Sequence, residues 1–211
     1  MAPTTELTAL INAVKTADSK AGIVQAVHAL AAAKDPEAIP TLIEVLGYNN
    51  PGAAVAATDG LVSLGEGAVP ALLEQLDGYN YGARAWAIRA LALIQDPRAL
   101  NILVDTARGD FALSVRRAAA KGLGTLDWAK LPAEVVEPAQ AEALATLIES
   151  LSDPEWVVRY AAVVGLQALA QALSPEKALS HIQPALESTV RQDAVPAVQA
   201  RAQFALESLA A

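Results

Sequence analysis

Apolar residues along the chain recur at helical spacing. A nonapeptide with small or apolar residues at its first, fifth, eighth and ninth positions occurs six times. This pattern is the i, i+4, i+7, i+8 stripe of an amphipathic helix that packs on one side. We therefore expect each nonapeptide to form the packed second helix of a helical hairpin. The six copies cover residues 22–30, 53–61, 83–91, 115–123, 158–166 and 198–206.

The spacing of the copies defines the fold class. The leucines that end the first four copies lie 31, 30 and 32 residues apart, and the last two intervals are 43 and 40 residues. Two helices and two turns fill a repeat of this length, and no segment shows the two-residue alternation of a strand. The sequence predicts an all-α protein, a right-handed HEAT-like α-solenoid (an α-α superhelix) of about six hairpins. Residues 1–211 are expected to form one solenoid, with a long connection, a bend or a boundary over 127–139.

The start of the first helix of several hairpins is marked by an oxygen-bearing residue followed by proline. Such a residue caps free backbone N–H groups, and proline at the first helical position has no N–H group to satisfy. The expected starts are Asp35-Pro36, Asp96-Pro97, Asp153-Pro154 and Ser174-Pro175. At the fifth position of every nonapeptide lies an alanine, which lets neighbouring helices approach closely.

Composition excludes several kinds of chemistry. The chain has no cysteine, so thiol nucleophiles, disulfides and thiolate metal sites are excluded, and its two histidines lack the spacing of metal ligands. No apolar run reaches the roughly 18 residues that a membrane span needs, and no signal peptide is recognised, so a cytoplasmic protein is expected. The net charge of −8 argues against a nucleic-acid partner.

Positive charge is concentrated in the middle of the chain. Residues 81–121 carry a net charge of +4, whereas residues 1–80 and 122–211 each carry −6. Side chains two and six places before each terminal leucine point away from the packed stripe, and we call the surface that they share the open face. Because the hairpins stack, these faces are expected to line one concave, partly basic surface. Its candidate ligand-binding cations are Arg89, Arg117 and Lys121, and the acid Asp59 occupies an equivalent position on the same surface.

Arginine at the second place of three nonapeptides has a different expected role. Arg84, Arg116 and Arg159 are expected to pair with acids of adjacent hairpins, because buried arginine is normally paired. The candidate partners are Asp110, Asp153 and Asp193, each five residues before the start of its nonapeptide.

Aromatic residues cluster beside the basic segment. Tyr79, Tyr81 and Trp86 lie within eight residues, although only 4% of the chain is aromatic. A flat apolar surface next to cations suits a planar ligand that carries carboxylates. The alternative is that Tyr81 and Trp86 simply fill the turn.

Three segments resemble a known family. Residues 46–57, 79–91 and 110–124 are similar to the cyanobacterial E/F-type phycobilin lyases, HEAT-repeat proteins, and most of all to their smaller β (F) subunits. The resemblance implies a heterodimer with a larger E-type HEAT-repeat subunit, which attaches phycocyanobilin to a cysteine of the phycocyanin α subunit through a thioether. It also implies a cytoplasmic role in phycobilisome assembly, with the bilin as substrate and no cofactor or metal.

A linear tetrapyrrole fits the candidate residues. Arg89, Arg117 and Lys121 are the hypothesised partners of its propionates, and Tyr81 and Trp86 are expected to lie against its rings. Tyr79 is a further candidate ligand-binding residue. Asp59 is the candidate catalytic residue, as counter-ion to the pyrrole nitrogens or as proton donor. A different function remains open at this point, a non-catalytic HEAT-repeat adaptor that binds phycobiliproteins or other antenna proteins.

Overall fold

The protein was analysed as a computed structural model, which describes residues 5–76 and 81–210. Within those two ranges the secondary structure is helical and contains no strand. The α-helices are α1 (Thr5–Thr16), α2 (Lys20–Ala32), α3 (Ile39–Leu46), α4 (Pro51–Leu64), α5 (Val69–Gln75), α6 (Tyr81–Ile94), α7 (Leu100–Gly109), α8 (Leu113–Leu123), α9 (Ala133–Ser150), α10 (Trp156–Ala170), α11 (Pro175–Lys177), α12 (Gln183–Gln192) and α13 (Pro196–Ala210).

All six nonapeptides lie inside second helices, as predicted: α2, α4, α6, α8, α10 and α13. Five of the alanines at the fifth position are fully buried, namely Ala57, Ala87, Ala119, Ala162 and Ala202. Ala26 in α2 is only partly buried. The principal neighbours of α2 are α1 and α4, whereas α4 packs on α2, α3 and α6, so α2 is covered on fewer sides.

Three of the four expected helix starts are confirmed. Asp35 and Asp96 cap short 3₁₀ turns that lead into α3 and α7, and Ser174 caps α11. The fourth, Asp153-Pro154, is wrong: these residues lie in the turn between α9 and α10. There Asp153 accepts a hydrogen bond from the backbone N–H of Glu155 at 2.8 Å, so the aspartate forms the turn and no first helix begins at this proline.

The connection expected over 127–139 is shorter than that range. A 3₁₀ turn at Trp128–Lys130 follows α8, and α9 begins at Ala133, so the last seven residues of the range are helical. Pro138 lies inside α9, where it removes one backbone donor. The helix continues past this proline because Ala143 and Leu147 are fully buried.

The chain divides into two compact units, residues 1–94 and 95–211. The first contains α1–α6, with the second helices α2, α4 and α6 packed in sequence. The second contains α7–α13, with α10 packed between α8 and α13. The division thus falls between Ile94 and Gln95, before the segment in which the sequence placed a boundary or bend.

Two of the three expected arginine–aspartate pairs are present. Arg116 pairs with Asp153 and Arg159 pairs with Asp193, each with a shortest N–O distance of 2.7 Å. Arg84 lies in the first unit and donates to the carbonyl oxygen of Leu76 at 3.4 Å. Its pairing with Asp110 of the second unit stays a prediction.

The lengths and hydropathies of the helices bear on membrane insertion. In the part of the chain that the structure describes, no helix combines the length and apolar character needed to cross a bilayer.

Candidate functional site

In the first unit, the open face carries Asp59 and Arg89 on neighbouring helices. Asp59 lies on α4 and Arg89 on α6, each two places before the terminal leucine of its nonapeptide, and both side chains are exposed. Because α4 and α6 pack directly, these equivalent positions lie on adjacent helices of one surface. The structure therefore places the proposed acid and one proposed propionate partner on the same face.

The aromatic residues of α6 lie at the edge of this face. Tyr81, the first residue of α6, is 66% exposed, so it does not fill the turn. Trp86 is partly buried, and the guanidinium carbon of Arg89 lies 6.0 Å from the centre of its ring. That distance is at the outer limit for a cation–π contact. Tyr79, the third aromatic candidate, lies outside the described residues.

In the second unit, Arg117 and Lys121 form a pair of like charges. They lie one turn apart on α8, both exposed, so their side chains point to the same side of the helix. Neither has a carboxylate partner among the residues that the structure describes, whereas the adjacent Arg116 is paired with Asp153. Like charges at this spacing repel each other, and a bound anion would relieve that repulsion.

The structure also shows open-face aromatics that we did not predict as ligand-binding residues. Tyr160 on α10 is 37% exposed and occupies the same repeat position as Arg117, six places before the terminal leucine. Trp156 lies one turn earlier and is 45% exposed, and Phe204 on α13 is 58% exposed. Repeat position alone marks Tyr160 and Phe204 as open-face residues, but they lie outside the basic segment 81–121 on which the predicted site was based.

Arg201 on α13 is a fourth residue that the sequence analysis missed. It is partly buried, and its guanidinium carbon lies 5.3 Å from the centre of the Phe204 ring. One terminal nitrogen donates to Oε1 of Gln167 on α10, while the other is buried without an acceptor. Burial lowers the pKa of Arg201, and the nearby Tyr160 partly opposes this change. The sequence signal was an arginine at the fourth place of a nonapeptide.

The described side chains show no clustering that is typical of a metal centre. Over residues 5–76 and 81–210, no three histidine, aspartate or glutamate side chains lie close enough together to hold an ion. The structure instead shows cations beside aromatic rings, Arg89 with Trp86 and Arg201 with Phe204, and such groups are chemically suited to an anionic, planar molecule.

Family models match this architecture. The model described as "HEAT repeats" matches residues 69–166, and the model described as "PBS lyase HEAT-like repeat" matches residues 24–48. A designed armadillo-repeat protein, solved in complex with a peptide, covers 97% of the chain at 21% identity with a TM-score of 0.61. At that identity the similarity concerns the fold alone.

Closer relatives have names that refer to bilin attachment. The protein "Phycocyanin alpha phycocyanobilin lyase CpcF" of a Synechocystis strain is 54% identical over 98% of this chain and 95% of its own length. A "Phycobilisome maturation protein" of Synechococcus elongatus is 53% identical over 97% of this chain and 98% of its own length.

A solved structure is also similar. One chain of the complex of CpcE and CpcF of phycocyanin lyase from a Nostoc species is 54% identical, with a TM-score of 0.76. The match covers 81% of this chain and 99% of that chain.

The paired helices of both units and the matches to HEAT-repeat family models and to a phycocyanin lyase chain define a HEAT-repeat α-solenoid protein of the bilin-lyase type. The extent of the sequence similarity is specific enough to identify its family. The chain belongs to the family of phycocyanobilin lyase β (F-type) subunits.

Proposed function

We propose that this chain is the β subunit of a heterodimeric lyase that attaches phycocyanobilin, through a thioether, to a cysteine of the phycocyanin α subunit. The observation that carries the proposal is 54% identity to a phycocyanin α phycocyanobilin lyase over 98% of the chain. The similarity to a chain of the complex of CpcE and CpcF supports a larger E-type subunit as partner. The cytoplasmic location expected from the sequence stays a prediction.

The chemistry of the open faces supports a bilin as substrate. A linear tetrapyrrole is planar and carries two propionates, so it requires both flat apolar contacts and cations. Arg89 on α6 and the pair Arg117 and Lys121 on α8 present exposed positive charge. The chain has no cysteine, so the client must supply the sulfur of the thioether. No cofactor of the chain's own enters this scheme.

The proposed reaction is the addition of a thiol to a double bond. The S–H bond of the client cysteine and the π bond of the bilin's exocyclic double bond break, a C–S bond forms at one carbon of that double bond, and the proton is taken up at the other carbon. No electrons are gained or lost overall, so no oxidant or reductant is needed. The contribution of the protein is to hold the bilin extended with its reactive carbon near the sulfur.

Each candidate residue has a role in this scheme. Arg89, Arg117 and Lys121 bind propionates, and Trp86 and Tyr81 lie against pyrrole rings. Tyr79 stays a predicted ligand-binding residue. Asp59, exposed on α4, serves as counter-ion to the pyrrole nitrogens or as proton donor.

The test is co-expression of this chain with an E-type subunit, the apo-phycocyanin α subunit and the enzymes that make the bilin. We expect acid-stable colour that migrates with the α subunit in a denaturing gel. Arg117→Ala combined with Lys121→Ala should lower the yield of coloured α subunit at least tenfold, because two charge-assisted contacts are removed.

The matched control removes a positive charge from a first helix. Arg191 on α12 is exposed and lies 3.7 Å from Glu187, one turn away. Arg191→Ala should leave the yield unchanged. A tight complex of the three proteins that yields no covalent colour would contradict the lyase and favour the adaptor.

A further inference from the structure

Arg201 differs from the other partly buried arginines of the second unit. Arg116 and Arg159 each meet an aspartate through two hydrogen bonds. Arg201 has no carboxylate partner anywhere in the described ranges 5–76 and 81–210. A charge that is withdrawn from water is normally paired, because burial without a counter-ion is unfavourable.

The groups around Arg201 are neutral. The side-chain oxygen of Gln167 accepts from one terminal nitrogen of the guanidinium, and its amide nitrogen donates to Oγ of Ser208 at 2.8 Å. Ser208 in turn donates to the carbonyl oxygen of Phe204 at 2.9 Å. This chain of hydrogen bonds positions the guanidinium without neutralising it, and the second terminal nitrogen has no acceptor.

Two aromatic side chains lie near this charge. The Phe204 ring lies against the guanidinium and is 58% exposed, and Tyr160 on the neighbouring helix α10 is 37% exposed. An exposed aromatic pair beside an unneutralised cation is a site for a carboxylate that is attached to a flat apolar frame.

Building on the proposed function, we propose that Arg201 binds one propionate of the bilin while Tyr160 and Phe204 contact its rings. The carboxylate takes over the place of Oε1 of Gln167 as acceptor and supplies the negative charge that the folded chain lacks. This assigns part of the bilin site to α10 and α13, which lie outside the positively charged segment 81–121.

The position of α10 suggests where a second propionate binds. α10 packs on both α8 and α13, so Arg117 and Arg201 lie on helices on opposite sides of the one that carries Tyr160. Neighbouring helix axes are roughly 8 to 10 Å apart. A bilin across Tyr160 therefore has one cation on each side for its two carboxylates, so in this arrangement Arg201 replaces Arg89 as the second propionate partner.

The first test compares phycocyanobilin with its dimethyl ester, whose two carboxylates are masked. Both are titrated into the heterodimer with the E-type subunit, and binding is followed by absorbance. Arg201→Gln should weaken the diacid about 10- to 100-fold, the range for a charge-assisted hydrogen bond, and leave the diester unchanged. Arg191→Gln is the matched control and should alter neither.

A second variant neutralises the charge with little change of shape. Gln167→Glu places a carboxylate where the amide oxygen already accepts from Arg201, so the variant should unfold at a higher temperature than the wild type. It should also bind the diacid at least tenfold more weakly, because the internal carboxylate occupies Arg201. Arg201→Lys retains the charge and should restore part of the preference for the diacid.

Three results separate the possible failures. If either neutralising variant leaves diacid binding unchanged, or weakens diacid and diester equally, Arg201 does not bind a propionate and the inference is overturned. If Arg201→Gln weakens capture of the apo-phycocyanin α subunit without bilin, but not binding of the diacid, the carboxylate belongs to the client and the inference is again overturned. If the wild-type heterodimer binds no bilin, the proposed function itself fails.

Discussion

The side chains of Arg116 and Asp153 join two successive hairpins through a bidentate ion pair. Nε and one terminal nitrogen of the arginine donate to the two carboxylate oxygens at 2.7 and 3.0 Å. The other terminal nitrogen donates to the carbonyl oxygens of Asp110 and Phe111, at 2.8 and 3.3 Å. Arg159 repeats this arrangement one hairpin later with Asp193. The pair thus fixes the turn before its own helix and fastens that helix to the next hairpin.

Removal of Arg116 should destabilise the protein strongly. The side chains of Arg116 and Asp153 are only 12% and 8% exposed, so Arg116→Ala leaves a buried carboxylate with little compensation. We expect a loss of about 3 kcal/mol in the free energy of unfolding, measured by urea denaturation. Arg108→Ala is the control, since its partner Glu149 is 64% exposed, and it should cost less than about 0.5 kcal/mol. Similar losses for the two variants would contradict the structural role of the Arg116 pair.

The ion pairs also predict how stability depends on pH. Hydrogen bonds from Arg159 hold the pKa of the Asp193 carboxyl below its ordinary value, although burial alone would raise it. An unfolded aspartate has a pKa of about 3.9, so between the folded pKa and that value the unfolded chain binds more protons. The contribution of Asp193 to the free energy of unfolding is therefore complete at pH values above the pKa of the unfolded chain. It is lost as the pH falls through the lower pKa of the folded protein.

Asp193→Asn removes the titrating group, so the free energy of unfolding should fall less steeply with decreasing pH than in the wild type. The measurement is a series of urea denaturations between about pH 5 and pH 2.5. If both proteins lose stability with the same slope below about pH 4, the pKa of Asp193 is not depressed in the folded state.

Two glycines allow α8 and α10 to approach closely. A Cβ atom on Gly165 would lie 2.5 Å from the carbonyl oxygen of Ala120, and one on Gly124 would lie 2.1 Å from the carbonyl oxygen of Gly165. Backbone atoms cannot move aside cheaply, so Gly165→Ala should lower the free energy of unfolding by about 1 to 3 kcal/mol. Gly109→Ala is the control, because nothing lies within 4 Å of the added methyl, and its midpoint of thermal unfolding should not fall. A Gly165→Ala protein as stable as wild type would show that the helices are less close.

The proposed acid can be tested separately from the cations. Asp59→Asn keeps the size of an exposed side chain on α4 and removes its charge, so bilin transfer should slow at least tenfold if the residue gives up a proton. Bilin affinity should change less than the rate. Glu74→Gln, an exposed residue on the first helix α5, provides the matched control. Equal transfer rates for wild type and Asp59→Asn would remove Asp59 from the mechanism.

Local sequence was sufficient to predict the helices and their order. The stripe of apolar residues and the alanine at the fifth position determine which side of each second helix is buried, because burial follows the helical period. Repeat position also predicted the Arg116 and Arg159 pairs correctly. The Asp153-Pro154 start was wrong because an aspartate before proline forms a turn as readily as a helix cap. In the folded chain the Asp153 carboxylate accepts from the backbone N–H of Glu155 in the turn and from Arg116 of the preceding hairpin.

The sequence by itself thus determined the all-helical repeat, its register and the open-face positions of Asp59, Arg89, Arg117 and Lys121, since these depend on spacing along one helix. Only the tertiary structure decided which cations keep an uncompensated charge. Arg116, Arg159 and Arg201 are the same residue type on equivalent helices, yet two meet an aspartate of the next hairpin and the third meets an amide. Whether an arginine charge is compensated depends on side chains that lie 34 to 37 residues away along the sequence. The spacing of residues within one helix carries no information about which side chains these are.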